Sequence, residues 1–201
     1  IVTSGAIALG KHELKLTKQS LKLHEKQACA ATGQILLAKG WKEVFERTNL
    51  KCAQILVGHS DLETRRSAMN ARVTLNTLLK LNTIPVINEN DTVATIEIRY
   101  GDNHQLAGRI AHVAGADLVI LLSDVDGLYT KDPKHSNAAK FIPEVTEISE
   151  EIEKMAKNTK SYIASGGMTT KIKAAKISLS SGCSLIIAEG TKVGSLLRLL
   201  N

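Results

Sequence analysis

Aromatic side chains make up only 3% of this 201-residue chain, and that shortage argues against a nucleic-acid surface, which stacks bases on aromatic rings set among its basic residues. The formal charge of +6 is spread over lysines and arginines interleaved with acids. It reads as a solvated surface with some local attraction for anions such as nucleotides. Cysteine is equally scarce: Cys29, Cys52 and Cys183 are widely spaced and include no C-x-x-C pair. They fit reduced thiols better than a disulfide framework or a zinc site, and a cytoplasmic setting is expected. No apolar run is long enough to span a bilayer, and no charged-then-apolar leader opens the chain, so no membrane partner is expected. Internal repeats and low-complexity linkers are absent as well.

What is present is one domain's worth of chain, 43% hydrophobic and 23% charged, enough to bury a sizeable core. Short β-branched runs at Ala53 to Val57, Thr83 to Ile87, Leu118 to Leu122 and Leu185 to Ala188 alternate with helical patterns around 19–47, 61–80, 105–115 and 168–181. Continuous apolar strands separated by helices predict an α/β fold, a mostly parallel sheet covered on both faces. Gly127 to Phe141 reads as a long loop, a common place for function in compact domains. The opening Ile1-Val2-Thr3-Ser4-Gly5, without a Met, reads as the middle of a strand. The closing Leu196 to Asn201 lies in an apolar helical pattern without a stop signal. Both ends are expected to be cut.

Polar clusters sit at the ends of these strands, where open α/β sheets place their sites. Ile84-Pro85-Val86-Ile87 runs into Asn88-Glu89-Asn90-Asp91, and burying such side chains without partners is costly. Asp91 is suited to a substrate ammonium; an Asx-turn that merely closes the strand is the competing reading. Gly101-Asp102-Asn103-His104 opens the next helix, and Asn103 offers a donor and an acceptor to an amino-acid-like ligand. His104 is ambiguous between surface, cap and site. Ser123-Asp124-Val125-Asp126-Gly127 follows another strand, with groups able to hold a ribose, phosphates or magnesium, or simply to form a D-G turn. Ser4, before a small-residue helix start, suits an anion or an ordinary N-cap. In Ser165-Gly166-Gly167-Met168-Thr169-Thr170-Lys171 a glycine pair frees backbone amides for phosphate oxygens at a helix N-terminus. Lys171 sits at the unfavourable end of that helix dipole, which an intervening anion would explain. The spacing is not that of a Walker A loop. No dedicated metal cage is expected.

Taken in order, TSGAIALG, ILVGHSDLETRRSAMNAR, IPVINENDTVAT, EIRYGDN, LLSDVDGLYTKDP and SGGMTTKIKAA resemble the amino acid kinase family over nearly the whole chain. NENDTVAT together with GDN points to the branch that phosphorylates glutamate rather than aspartate, acetylglutamate, carbamate or uridylate. The resemblance implies a three-layer α/β/α sandwich and transfer of the ATP γ-phosphoryl group to the side-chain carboxylate of L-glutamate, the first step towards proline. It implies ATP and Mg2+ as cofactors and a homo-oligomeric assembly. By position, Ser4, Asp91 and Asn103 match the family's glutamate-binding residues. Ser123 and Asp124, with Ser165, Gly166, Gly167, Met168, Thr169, Thr170 and Lys171, match its ATP-binding segments, and Lys171 is the expected catalytic contact to the phosphoryl group. A carboxylate is already a competent nucleophile, so positioning and charge neutralisation suffice.

The departures are specific. Family members begin with a strand carrying V-K-x-G-[ST], and that strand and its helix are missing, so residues 1–201 are expected to be an incomplete amino acid kinase domain. The family's GDND reads Gly101-Asp102-Asn103-His104 here, an imidazole where an acid helps organise the site. Two further readings stand beside the leading one: a non-catalytic descendant that still binds glutamate or nucleotide, and a sibling kinase for another small carboxylate.

Overall fold

The computed structural model describes residues 1–94, 103–133, 135–157 and 167–200, with Lys157 described by its backbone alone. The chain divides into two compact units, Ile1–Asn103 and His104–Asn201.

In the first unit, α1 (Ala6–Glu13) and the 24-residue α2 (Leu23–Glu46) precede β1 (Lys51–Val57), the short α3 (His59–Glu63), α4 (Arg65–Lys80) and β2 (Thr83–Glu89). Strands β1 and β2 pair in parallel, from Lys51 opposite Thr83 to Val57 opposite Glu89. On its other edge β2 is bridged in parallel by Val2 through Ile87. That places β2 between two neighbours and explains its near-continuous apolar run, since a strand covered on both faces has no wet side to alternate with. The predicted helix at 61–80 is broken into two, because Thr64 adopts an extended backbone and its hydroxyl accepts from Ser67 N. That is an ordinary N-cap, and its signal lay within what read as one continuous pattern.

The pair α1 and α2 packs at unusually close range. A Cβ on Gly10 would lie 1.8 Å from the Cys29 carbonyl oxygen, and one on Gly33 would lie 1.8 Å from that of Ala6. Only glycine permits backbone to meet backbone there. Gly5, at φ 106°, turns the strand segment into α1.

In the second unit, α5 (Asn103–Ala114, its first residue belonging to the first unit) leads to β3 (Leu118–Ser123), β4 (Leu128–Tyr129), β5 (Phe141–Ile142), α6 (Glu150–Lys157), α7 (Met168–Ser180), β6 (Ser184–Glu189) and α8 (Ser195–Leu200). Strands β3 and β6 pair in parallel, Leu118 opposite Ser184 through Ser123 opposite Glu189. Ala111, Val119, Leu121, Ala174 and Cys183 form the core around them. A second apolar cluster, Leu128, Ala156, Met168 and Ile172, supports the start of α7. Gly127 to Phe141 is not simply a loop: its ends pair as antiparallel β4 and β5, Leu128 opposite Ile142 and Tyr129 opposite Phe141. The two-residue strands are too short for periodicity to show.

Among the described residues, no helix is long and apolar enough to cross a membrane.

Candidate active site

The end of β2 carries the most unusual chemistry of the first unit. Asn88 is 2% exposed, Glu89 3% and Asp91 8%. The chain leaves the strand through backbone bonds, Asn90 N to Val57 O at 3.0 Å and Val93 N to Asn90 O at 3.2 Å. The Asx-turn reading therefore fails: backbone closes this turn, and the Asp91 carboxylate accepts no hydrogen bond among the described residues. Burial raises its pKa from 3.8 to about 6, because a carboxylate withdrawn from water resists ionisation. Such a group is stabilised by a cation brought to it.

Asp91 lines a cleft of about 250 Å³ together with Ala30, Gln34, Gln54, Glu89 and Asn90. One wall is α2 and the other is formed by β1 and the end of β2. His59 Nε2 stands 3.9 Å from the Glu89 carboxylate.

Behind the cleft lies a chain of amides. Asn103 Nδ2 donates to the Thr3 carbonyl at 2.6 Å and to Asn88 Oδ1 at 2.9 Å. Asn88 Nδ2 in turn donates to Gln34 Oε1 at 2.8 Å. Asn103 Oδ1 is fully shielded and has no partner among the described residues. Of the residues predicted to bind glutamate, Asn103 is thus tied to Thr3, the neighbour of the exposed Ser4, and to Asn88, three residues before Asp91. Ser4 does not cap α1, whose N-cap is Gly5. Neither Ser4 nor Asn103 is among the residues that line the cleft. Gln34 was invisible in the sequence, a single polar residue on the small-residue face of a long helix.

The second unit presents a separate set of groups. Helix α7 begins at Gly167 with no side-chain cap; Thr170 N and Lys171 N donate to Gly167 O, which leaves the amides of Met168 and Thr169 for an anion. Lys171, in that first turn, is only 4% exposed. Thr170 Oγ1 donates to Gly167 O at 2.8 Å and lies 3.2 Å from His104 Nδ1. The histidine that departs from the family pattern is thereby linked to the first turn of α7. Met168 packs its side chain in the apolar cluster, and Thr169 Oγ1 donates to Ala156 O at 3.2 Å, which leaves their backbones rather than their side chains for a ligand. Ser165 and Gly166 lie outside the described residues, as do Gly101 and Asp102.

At the end of β3, Ser123 Oγ donates to Asp124 Oδ1 at 3.1 Å. Tyr129 donates its hydroxyl to Asp126 at 2.9 Å, and this bond raises the phenol pKa. The D-G turn has a packing reason, since a Cβ on Gly127 would meet the Phe141 ring at 2.4 Å.

The chain is thus an α/β protein with a buried carboxylate that has no hydrogen-bond partner among the described residues on one unit, and a helix start without a side-chain cap beside a buried lysine on the other. The profile of the amino acid kinase family matches residues 1–189, and the chain belongs to that family. Among its curated relatives are "Glutamate 5-kinase 1" of Mesorhizobium japonicum, 53% identical over 98% of this chain and 52% of the relative, and "Glutamate 5-kinase" of Bartonella henselae, 54% identical over 98% and 52%. The chain spans about half the length of these relatives. Solved structures share the fold: aspartokinase III of E. coli in complex with aspartate and ADP superposes with a TM-score of 0.61 at 15% identity, covering 92% of this chain and 42% of that one. Isopentenyl phosphate kinase gives 0.59 at 15%, covering 95% and 74%.

Proposed function

We propose that this chain carries the catalytic domain of an enzyme that transfers the γ-phosphoryl group of ATP to the side-chain carboxylate of L-glutamate, giving L-glutamyl 5-phosphate, the first step towards proline. The observation that carries the reading is Asp91, a carboxylate 8% exposed at the end of β2 with no protein partner among the described residues, beside a cleft of amino-acid size. It is supported by relatives that bear the name glutamate 5-kinase at 53–54% identity.

The roles follow from the chemistry of each group. Ionised Asp91 takes the substrate ammonium, which compensates its burial. Asn103 acts from behind the cleft, holding Asn88 and the Thr3 carbonyl beside it in place. Ser4 completes the glutamate-binding set. Gly167 to Lys171 take phosphate oxygens at the start of α7, and Ser123 and Asp124 hold the rest of the nucleotide. The attacking carboxylate needs no general base, so Lys171 and the helix N-terminus act by offsetting charge that develops on the transferring group. The uncapped amides and the lysine fit a phosphate. Magnesium would enter on those phosphates, as it commonly does where the protein offers few ligands. We further assign residues 1–201 to one amino acid kinase domain, acting in the cytoplasm as a homo-oligomer, with the exposed Met69 and Val73 of α4 as an apolar face available for assembly.

The test is ADP release by the intact protein with Mg-ATP and L-glutamate, with hydroxylamine trapping the acyl phosphate. Both products are expected above the glutamate-free control, and their absence would overturn the reading. His104, where the family has an acid, favours one other reading, a descendant that binds without turnover. Ligand-dependent melting shifts with no ADP would establish it.

A further inference from the structure

We propose that Gln34 is a specificity-determining residue of this site, its Nε2 donating to the α-carboxylate of the substrate. The inference rests on the reading of the cleft as the glutamate site, and it is carried by the direction of the amide chain. Amide oxygen and nitrogen are told apart by their partners. Here the chain is anchored on a group that cannot flip, the backbone carbonyl of Thr3, which can only accept. Asn103 must therefore present Nδ2 to it, and with the same nitrogen it reaches Asn88, which must present Oδ1. The Nδ2 of Asn88 is then the donor towards Gln34, whose Oε1 is consumed at 2.8 Å.

Three side chains are thus oriented by one carbonyl, and the end of the series is fixed: the Nε2 of Gln34 makes no hydrogen bond among the described residues, on a side chain that lines the cleft. Asp91 and Glu89 line the same cleft with carboxylates. An α-amino acid carries its ammonium and carboxylate on one carbon, so a cleft that offers an acceptor for the first and an oriented donor for the second takes both together. Were Gln34 reversed, its oxygen would face a substrate carboxylate and its nitrogen would face the nitrogen of Asn88, a loss at both ends. A site built this way rejects a ligand with the wrong group strongly, because its polar atoms are left unpaired.

The experiment is isothermal titration calorimetry of the intact protein with L-glutamate and with its α-amide, at pH 8.5, for the wild type and Gln34→Glu. The substituted carboxylate still accepts from Asn88 but has no proton for the ligand. We expect at least a tenfold weaker Kd for L-glutamate and less than a threefold change for the α-amide, whose own nitrogen can donate. Gln34→Met, similar in length and volume, is the second variant should the first fail to fold; it must also lose the preference for glutamate over the α-amide. Unchanged glutamate affinity, within twofold, or an unchanged preference overturns the assignment. Hydroxamate formation by the wild type is measured in parallel. A protein that binds glutamate but makes no hydroxamate loses the phosphotransfer reading while calorimetry still decides Gln34, and one that binds no glutamate loses both.

Discussion

Replacing Asp91 by Asn should make the protein more stable and unable to bind its substrate. Burial holds the carboxyl at about 6 against 3.8 for the free group, a gap of about two pKa units. Each unit is worth about 1.4 kcal/mol, so ionised Asp91 costs the folded state about 3 kcal/mol. The sign follows from linkage. The unfolded chain releases this proton near pH 4 and the folded chain only near pH 6. Stability is therefore lost as pH rises between these values, and the penalty is constant above about pH 7. Asn escapes it. In a protein of this size that is a rise in Tm of roughly 6–12 °C at pH 8. By the same titration the gain should shrink to well under 1 kcal/mol by about pH 4. Thermal unfolding followed by circular dichroism at pH 4, 6 and 8 gives the three points, and calorimetry with L-glutamate gives the functional cost. Wild-type affinity for glutamate should itself fall as pH drops below about 6, when the carboxyl takes up its proton. A variant no more stable than wild type at pH 8, or a gain that persists unchanged to pH 4, would refute the claim that Asp91 waits unpartnered for a cation. A stabilised but inactive variant is the expected signature of a strained functional site.

Other changes test other parts. Gly33→Ala forces a methyl group onto a backbone carbonyl 1.8 Å away and should cost about 3 kcal/mol in urea unfolding, whereas Gly40→Ala, in the same helix with nothing within 4 Å, should stabilise by about 0.5–1 kcal/mol. Lys171→Met should lower kcat by about 10²–10³-fold, measured by ADP release, while KM for glutamate stays within twofold. Thr170→Val removes the hydroxyl shared by Gly167 O and His104 and should raise KM for ATP about fivefold, the equivalent of about 1 kcal/mol, with glutamate binding unchanged by calorimetry.

How much of this could be read from the residues differs by scale. The four strand runs all lie within observed strands, and the helices at 105–115 and 168–181 fall within a residue or two of α5 and α7. Burial of a strand on both faces leaves a continuous apolar run in the sequence, and burial of a helix on one face leaves a period. The cap at Thr64 and the pairing of β4 with β5 leave none, since one rests on a single hydroxyl and the other on two residues per strand.

At the site, Asp91 stood out in the sequence because a carboxylate closing an apolar strand is itself a local anomaly. Its choice between turn and ligand was not local. Only the folded backbone, bonding Asn90 to Val57 and Val93 to Asn90, shows that the side chain has no part in the turn. Gln34 is the clearest case. It meets Asn88 across 54 positions, and Asn88 meets Asn103 and through it Thr3, so the orientation of its amide depends on four segments brought together by α2 and β2. Residue type and period determine which surfaces are hidden from water. The direction of a hydrogen bond, and the desolvation that sets a pKa, depend on which atoms meet in space.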